Sequence, residues 1–312
     1  MAIKAYKGFK KDMTCKGFQY EEGKEYETDK AEVCETGFHA CEYPLDCFKY
    51  YAPSESVFHE VEQDGEISRK GDDTKLASTK IKIGVSLNIA GMVKAAIEYT
   101  KSRTKKEADN NSDYGASSAT GDYGASSATG DYGASSATGD YGASSATGYK
   151  GASSATGDCG ASSATGYKGA SSATGDYGAS SATGDCGASS ATGDYGASSA
   201  TGDCGASSAT GDYGASSATG NCGASSATGY KGASSADDKD SIAVAWGYHG
   251  KAKGVIGSYL VLADWEGNES NYWTQDLWTL KGAKMVRVDG ETIKADTFYT
   301  MRNGEVIECK EE

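Results

Sequence analysis

Cys34, His39, Cys41 and Cys47 fall within fourteen residues of one another, and Cys15 lies a short way upstream. Thiolate and imidazole are the usual ligands of zinc. Structural zinc sites pair their cysteines in C-x2-C hooks, and the spacing here, Cys-x4-His-x-Cys-x5-Cys, contains none. The competing reading is of ordinary thiols beside a hydrogen-bonded histidine. That is the expectation, with no metal or cofactor needed for folding. The chain has only three histidines, His39, His59 and His249, and neither a G-x-S-x-G elbow nor a P-loop. Hydrolase and nucleotidase chemistry therefore has nothing to rest on.

The other chemistry-bearing residues recur. Residues 113–236 hold fourteen nine-residue units, each two variable residues followed by Gly-Ala-Ser-Ser-Ala-Thr-Gly or a close variant. The first variable residue is mostly Asp. Asp122, Asp140, Asp158, Asp176, Asp194 and Asp212 occupy alternate units, with Asp113, Asp131, Asp185 and Asp203 among the others. Calcium-binding RTX repeats also carry Asp at this period, but they need a Gly-x-Gly pair and a large apolar residue in each unit. Both are missing, and Tyr149, Tyr167, Asn221 and Tyr230 replace the Asp, so calcium is not expected. One Thr per unit, rather than a Thr-x-Thr pair, also argues against an ice-binding array.

Such self-similarity is the signature of a solenoid. The strand is Ala-Ser-Ser-Ala-Thr and the corner Gly-x-x-Gly, whose glycines permit the positive φ of a tight reversal. Small strand residues suit two sheets lying face to face in a narrow roll. The second variable residue, Tyr, Lys or Cys, counts the strands in a coil. It matches between units eighteen residues apart in 7 of 12 cases, and nine apart in 3 of 13. A coil of two strands and eighteen residues is the expectation, stacking like residues in ladders. One edge then carries Tyr123, Tyr141, Cys159, Tyr177, Tyr195, Tyr213 and Lys231, with an Asp beside each tyrosine. The Cys186, Cys204, Cys222 ladder brings thiols within bridging range, expected to stay reduced.

The fold class expected is mainly β. An α+β domain covers 1–108, a linker 109–112, a β-solenoid 113–263 with a divergent last part, and a β-rich cap 264–312. KAYKGF and SVFHEVEQDGEI read as strands, YPLDCFKYYA as a short helix. Leu87, Ile89, Val93, Ala96 and Ile97 fall at mostly helical spacing. The flanks have a structural purpose, since sheet ends need cover. Inward hydroxyls must be hydrogen-bonded, at a cost of about 1–3 kcal/mol otherwise.

The formal charge is −14, which does not suit direct nucleic-acid binding. No apolar run is long enough to span a bilayer. MAIKAYKGFKKDM lacks the apolar core of a signal peptide, so a cytoplasmic protein of an infected or lysogenic bacterium, with reduced thiols, is the expectation.

The run SIAVAWGYHGKAKGVIGSYLVLA, with ATGDYGASSATG, resembles the left-handed β-roll of trimeric autotransporter adhesin heads, sharing Ala-x-Gly-x-x-(Ser/Gly)-x-Ala. The flanks YKGF, CKGFQYEEGKEY, GFHACEYPLDCFKYY and VDGETIKADTFYTMRNGEVIE are similar to phage and prophage proteins of gut Firmicutes that also hold small-residue repeats between such ends. YKGF followed by GFHAC faintly resembles the opening strands of ADP-ribosyltransferase folds, implying an enzyme in residues 1–108 as one alternative. The leading expectation is a non-enzymatic protein whose acidic and aromatic edge binds, and inhibits, a host protein such as a defence nuclease with a basic cleft. A glycan- or cell-wall-binding module is the other alternative. About 4.8 Å per coil does not copy the roughly 7 Å phosphate repeat of a nucleic-acid strand, so the fit would be one of charge rather than spacing. A homo-oligomer is compatible with the sequence.

Overall fold

The structure is a computed structural model that describes residues 2–70, 74–103, 107–112, 114–267 and 278–309. It is mainly β, with the repeats wound as a two-sheet solenoid. Each strand pairs in parallel with the strand eighteen residues on, Ala125 with Ala143 and Ala134 with Ala152, in unbroken register. The coil therefore has two strands and eighteen residues.

Alternation along Ala-Ser-Ser-Ala-Thr points the first Ser and second Ala inward. The inward serines link across the roll, alternating between sheets, from Ser117 through Ser126 and Ser135 to Ser234. The Ser171 hydroxyl donates to Ser162 at 2.9 Å and accepts from Ser180 at 3.0 Å. A buried hydroxyl with both roles filled costs little. This row lets so polar an interior persist.

The two corner glycines do different work. Gly166 has φ of 154°, and a Cβ there would overlap the carbonyl oxygen of Gly148 one coil below. Gly169, at the other end of that corner, has no left-handed φ. It is small because Ala164, its carbonyl group and its side chain alike, lies against it. The expectation of positive φ at both ends therefore holds only for the first glycine. Backbone contact between coils, rather than the reversal alone, fixes its identity.

Residues 3–103 form a separate unit. Strands Lys75–Leu87, Phe38–Cys41, Ile3–Lys10 and Ser56–Arg69 pair in a closed ring, with Glu25–Glu27 outside Lys75–Leu87. Phe9, Val61, Ile81 and Ile83 fill its interior. A 3-10 turn, Pro44–Lys49, and a helix, α1 (Ile89–Arg103), complete it. Asn88 caps α1, its Oδ1 accepting from the Gly91 N–H at 2.9 Å.

This unit lies along the side of the solenoid rather than over its end. α1 buries Met92, Val93, Ala96 and Thr100 against the sheet holding Ala125, Ala143, Ala161, Ala179 and Ala197, each 0% exposed. The matching alanines of the opposite sheet, Ala134, Ala152, Ala170, Ala188 and Ala206, are exposed. At the start of the roll, Glu107–Asn110 pairs with Ala125–Ala128 and so runs into the stretch expected to be a linker. At the far end the inward row changes from Ser225 to Ala243 and then Leu260. Leu260, Leu262, Val288 and Met301 form an apolar plug. Antiparallel strands, Thr279–Arg287 on Tyr259–Glu266 and Tyr299–Arg302 near Lys251–Gly254, cover both sheet edges.

Candidate functional site

Tyr123, Tyr141, Tyr177, Tyr195 and Tyr213 lie on one edge of the roll. Tyr123 stacks on Tyr141 with centroids 4.9 Å apart, Tyr177 on Tyr195 at 5.6 Å, and Tyr195 on Tyr213 at 5.2 Å. The stack is interrupted at Cys159, which is 2% exposed. Here the 3-10 turn docks. The Tyr43 ring meets Tyr141 edge-on at 4.9 Å, and its hydroxyl donates to the Cys159 carbonyl at 2.6 Å. Asp46, fully buried, pairs with Lys49 at 2.7 Å and accepts from the Thr74 hydroxyl and, at 3.6 Å, from the Cys159 thiol. A phenol at position 159 would occupy the space of these groups. Tyr141, Tyr177 and Tyr195 are half-buried against the same cluster.

The electrostatics follow from this packing. Burial, then the Asp46 charge, holds the Cys159 thiol well above its usual range. Burial works against the Lys49 ammonium, yet its hydrogen bond and charge attraction to Asp46 prevail and hold its pKa above the ordinary value.

The acidic residues of this edge face outward. Asp122, Asp140, Asp158, Asp176 and Asp194 are exposed, and Asp212 is half-buried. Asp194 accepts from the Asp212 N–H, and Asp212 from the Tyr230 N–H, each at 2.9 Å. Burial raises the Asp212 pKa. On the opposite edge Tyr114 stacks on Tyr132 at 4.9 Å and Tyr149 on Tyr167 at 5.3 Å, all four exposed. Cys186, Cys204 and Cys222 follow on that edge as free thiols.

Cys34, His39, Cys41 and Cys47 are brought together, but not as a ligand set. All four line one cleft of about 600 Å³ in the N-terminal unit. His39 Nε2 accepts from the Cys34 N–H at 2.9 Å, and its Nδ1 lies 3.1 Å from the Gly37 carbonyl. Cys41 and Cys47 are buried in the core. Among the described residues, no three His, Cys, Asp or Glu side chains are placed to hold a metal ion.

Sequence reasoning passed over a buried lysine that lines that cleft. Lys7 is 5% exposed and donates from Nζ to the His39 carbonyl at 2.8 Å, with Cys15 Sγ at 3.6 Å. The Tyr51 hydroxyl donates to Cys15 Sγ at 2.8 Å. Burial lowers the Lys7 pKa, and burial with the nearby lysines lowers that of His39. Phe18, Tyr20, Tyr26 and Phe38 form one wall in edge-to-face and tilted contacts. The signal was present: Lys7 falls between Ala5 and Phe9 on the inward parity of a strand, a position that seldom takes a charge.

Fold and site together define a two-sheet β-solenoid protein with a small α+β unit docked along one edge. Residues 3–95, most of that unit, match a domain family of unknown function (DUF7666). No curated protein and no solved structure matches significantly.

Proposed function

We propose that this chain is a non-enzymatic interaction protein, phage-encoded, that occupies a host protein through the acidic edge of its solenoid. One observation carries this reading. Five carboxylates from Asp122 to Asp194 stand exposed in single file, one per coil, while the tyrosines beside three of them are packed against the N-terminal unit. A line of like charge raises the local potential and favours a basic partner surface. A nuclease whose nucleic-acid cleft is blocked is the class of target that this charge fits. The flanks' similarity to phage proteins supports the same reading, and a cytoplasmic location goes with it. The test is capture from host lysate by wild type and by the triple variant Asp140→Asn, Asp158→Asn, Asp176→Asn. A partner held by wild type, released by salt and lost by the variant is expected. One held equally by both removes the acidic edge from consideration.

A second reading rests on the opposite edge. Tyr114 is 78% exposed and Tyr132, Tyr149 and Tyr167 are 42–48% exposed, in stacked pairs. Exposed aromatic faces suit sugar rings, as in a glycan- or cell-wall-binding module. Binding to purified cell-wall polymer that falls with Tyr132→Ala and Tyr167→Ala, and not with the Asp variant, would favour it.

A further inference from the structure

We propose that the cleft of the N-terminal unit captures a small aromatic aldehyde bearing a negative charge, as an imine on Lys7. Capture in this cleft is independent of binding at the acidic edge.

Lys7 differs from Lys49, the lysine of the dock, whose side chain is partly exposed. Asp46 pairs with Lys49 at 2.7 Å, whereas Lys7 forms no ion pair among the described residues. Its neighbours are neutral or weakly polar: the His39 carbonyl and side chain, Cys15 on the strand Thr14–Cys15, Cys41 on Phe38–Cys41, Cys47 and Tyr51 from the turn and its exit, and Tyr20. Beside the His39 carbonyl and Cys15 Sγ, an ammonium there meets the faces of Phe9 and Tyr20, 5.4 and 5.5 Å from Nζ. Desolvation loosens the ammonium's hold on its proton, which makes more of the amine available as a nucleophile than at an exposed lysine.

The cleft's walls select the rest of the ligand. Phe18, Tyr20, Tyr26 and Phe38 offer ring edges and faces to a planar body. Lys16 and Lys75 line the cleft against a single acid, Glu27, in a chain of net charge −14. This locally positive lining suits a carboxylate or phosphate on that body.

The chemistry balances without a redox partner. The Nζ lone pair attacks the carbonyl carbon and the carbonyl oxygen takes a proton, giving a carbinolamine. Its hydroxyl then leaves as water, and the C=N bond forms. The net change is one amine and one carbonyl converted to one imine and one water.

The test exposes the full chain to 4-carboxybenzaldehyde with cyanoborohydride, which reduces any imine to a stable amine, followed by peptide mass spectrometry. Lys7 should carry several-fold more adduct at neutral pH than exposed Lys24 or Lys70, since its lowered pKa leaves more of the amine free. The excess should shrink as the pH is raised toward the ordinary lysine value of 10.5, where the exposed amines lose their protons too. Benzaldehyde, lacking the carboxylate, should label Lys7 less, and Lys16→Gln should narrow that preference. Adduct at Lys7 no greater than at Lys24 overturns the proposal. Equal labelling by the two aldehydes overturns its anionic part. Because these readings use wild type and a surface variant, neither depends on whether Lys7→Met folds.

Discussion

The Tyr43 hydroxyl donates a 2.6 Å hydrogen bond to the carbonyl oxygen of Cys159, 116 residues later in the chain. This bond joins the turn of the N-terminal unit to the corner of the third coil on that edge. It also accounts for the cysteine, because Tyr43 and Asp46 fill the space a ladder tyrosine would take.

Tyr43→Phe keeps the ring contact with Tyr141 and leaves the buried Cys159 carbonyl without that donor. A loss of about 1–3 kcal/mol is expected. Cys159→Tyr, which continues the ladder by type, should overpack the dock and cost a similar ~1–3 kcal/mol. Denaturant unfolding of both variants checks this, and a Cys159→Tyr protein as stable as wild type would refute the account of the interrupted ladder.

The dock should weaken in alkali. The folded state holds the Cys159 and Lys49 protons more tightly than the unfolded chain does. Stability from Cys159 is complete below the ordinary thiol value of 9.0 and is lost as pH rises through its raised folded value. The Lys49 contribution follows the same sign, beginning at the ordinary 10.5. Unfolding midpoints measured from pH 7 to 11 should therefore fall above pH 9, and Cys159→Ala should delay the start of that fall.

The serine row predicts an asymmetry between neighbours of one type. Ser171 is 4% exposed and bonded on both sides, so Ser171→Ala leaves its partners short and should cost about 1–3 kcal/mol. Ser172 faces outward, and Ser172→Ala should stay within about 0.5 kcal/mol. Equal costs would place the hydroxyl row outside the source of stability.

Coil number should change only in steps of eighteen. Residues 203–220 lie beyond the strands that α1 covers. Deleting them removes one coil and keeps the Leu260 plug on its own sheet. Deleting 203–211 puts that plug on the wrong sheet. A folded first deletion and a poorly soluble second one are expected in thermal melts, and equal behaviour would undo the two-strand coil.

The two-strand coil was legible in the chain because variable corner residues recur at eighteen, and a parallel ladder rewards like residues stacked on like. The edge shared by Tyr123, Tyr141, Tyr177, Tyr195 and Tyr213 followed from the same count. Which face of Ala-Ser-Ser-Ala-Thr turns inward was not legible, because both parities present only small side chains and neither is clearly the apolar one. The tertiary structure decided it, through serine hydroxyls that satisfy one another only across the roll. It also made identical strands unequal. Ala161 and Ala170 have the same local sequence, yet one is buried under α1 and the other exposed. The cleft around Lys7 belongs to the same class of feature. Its residues come from separate strands and a turn, and their burial exists only once the ring of strands has closed, a long-range packing that no local period records.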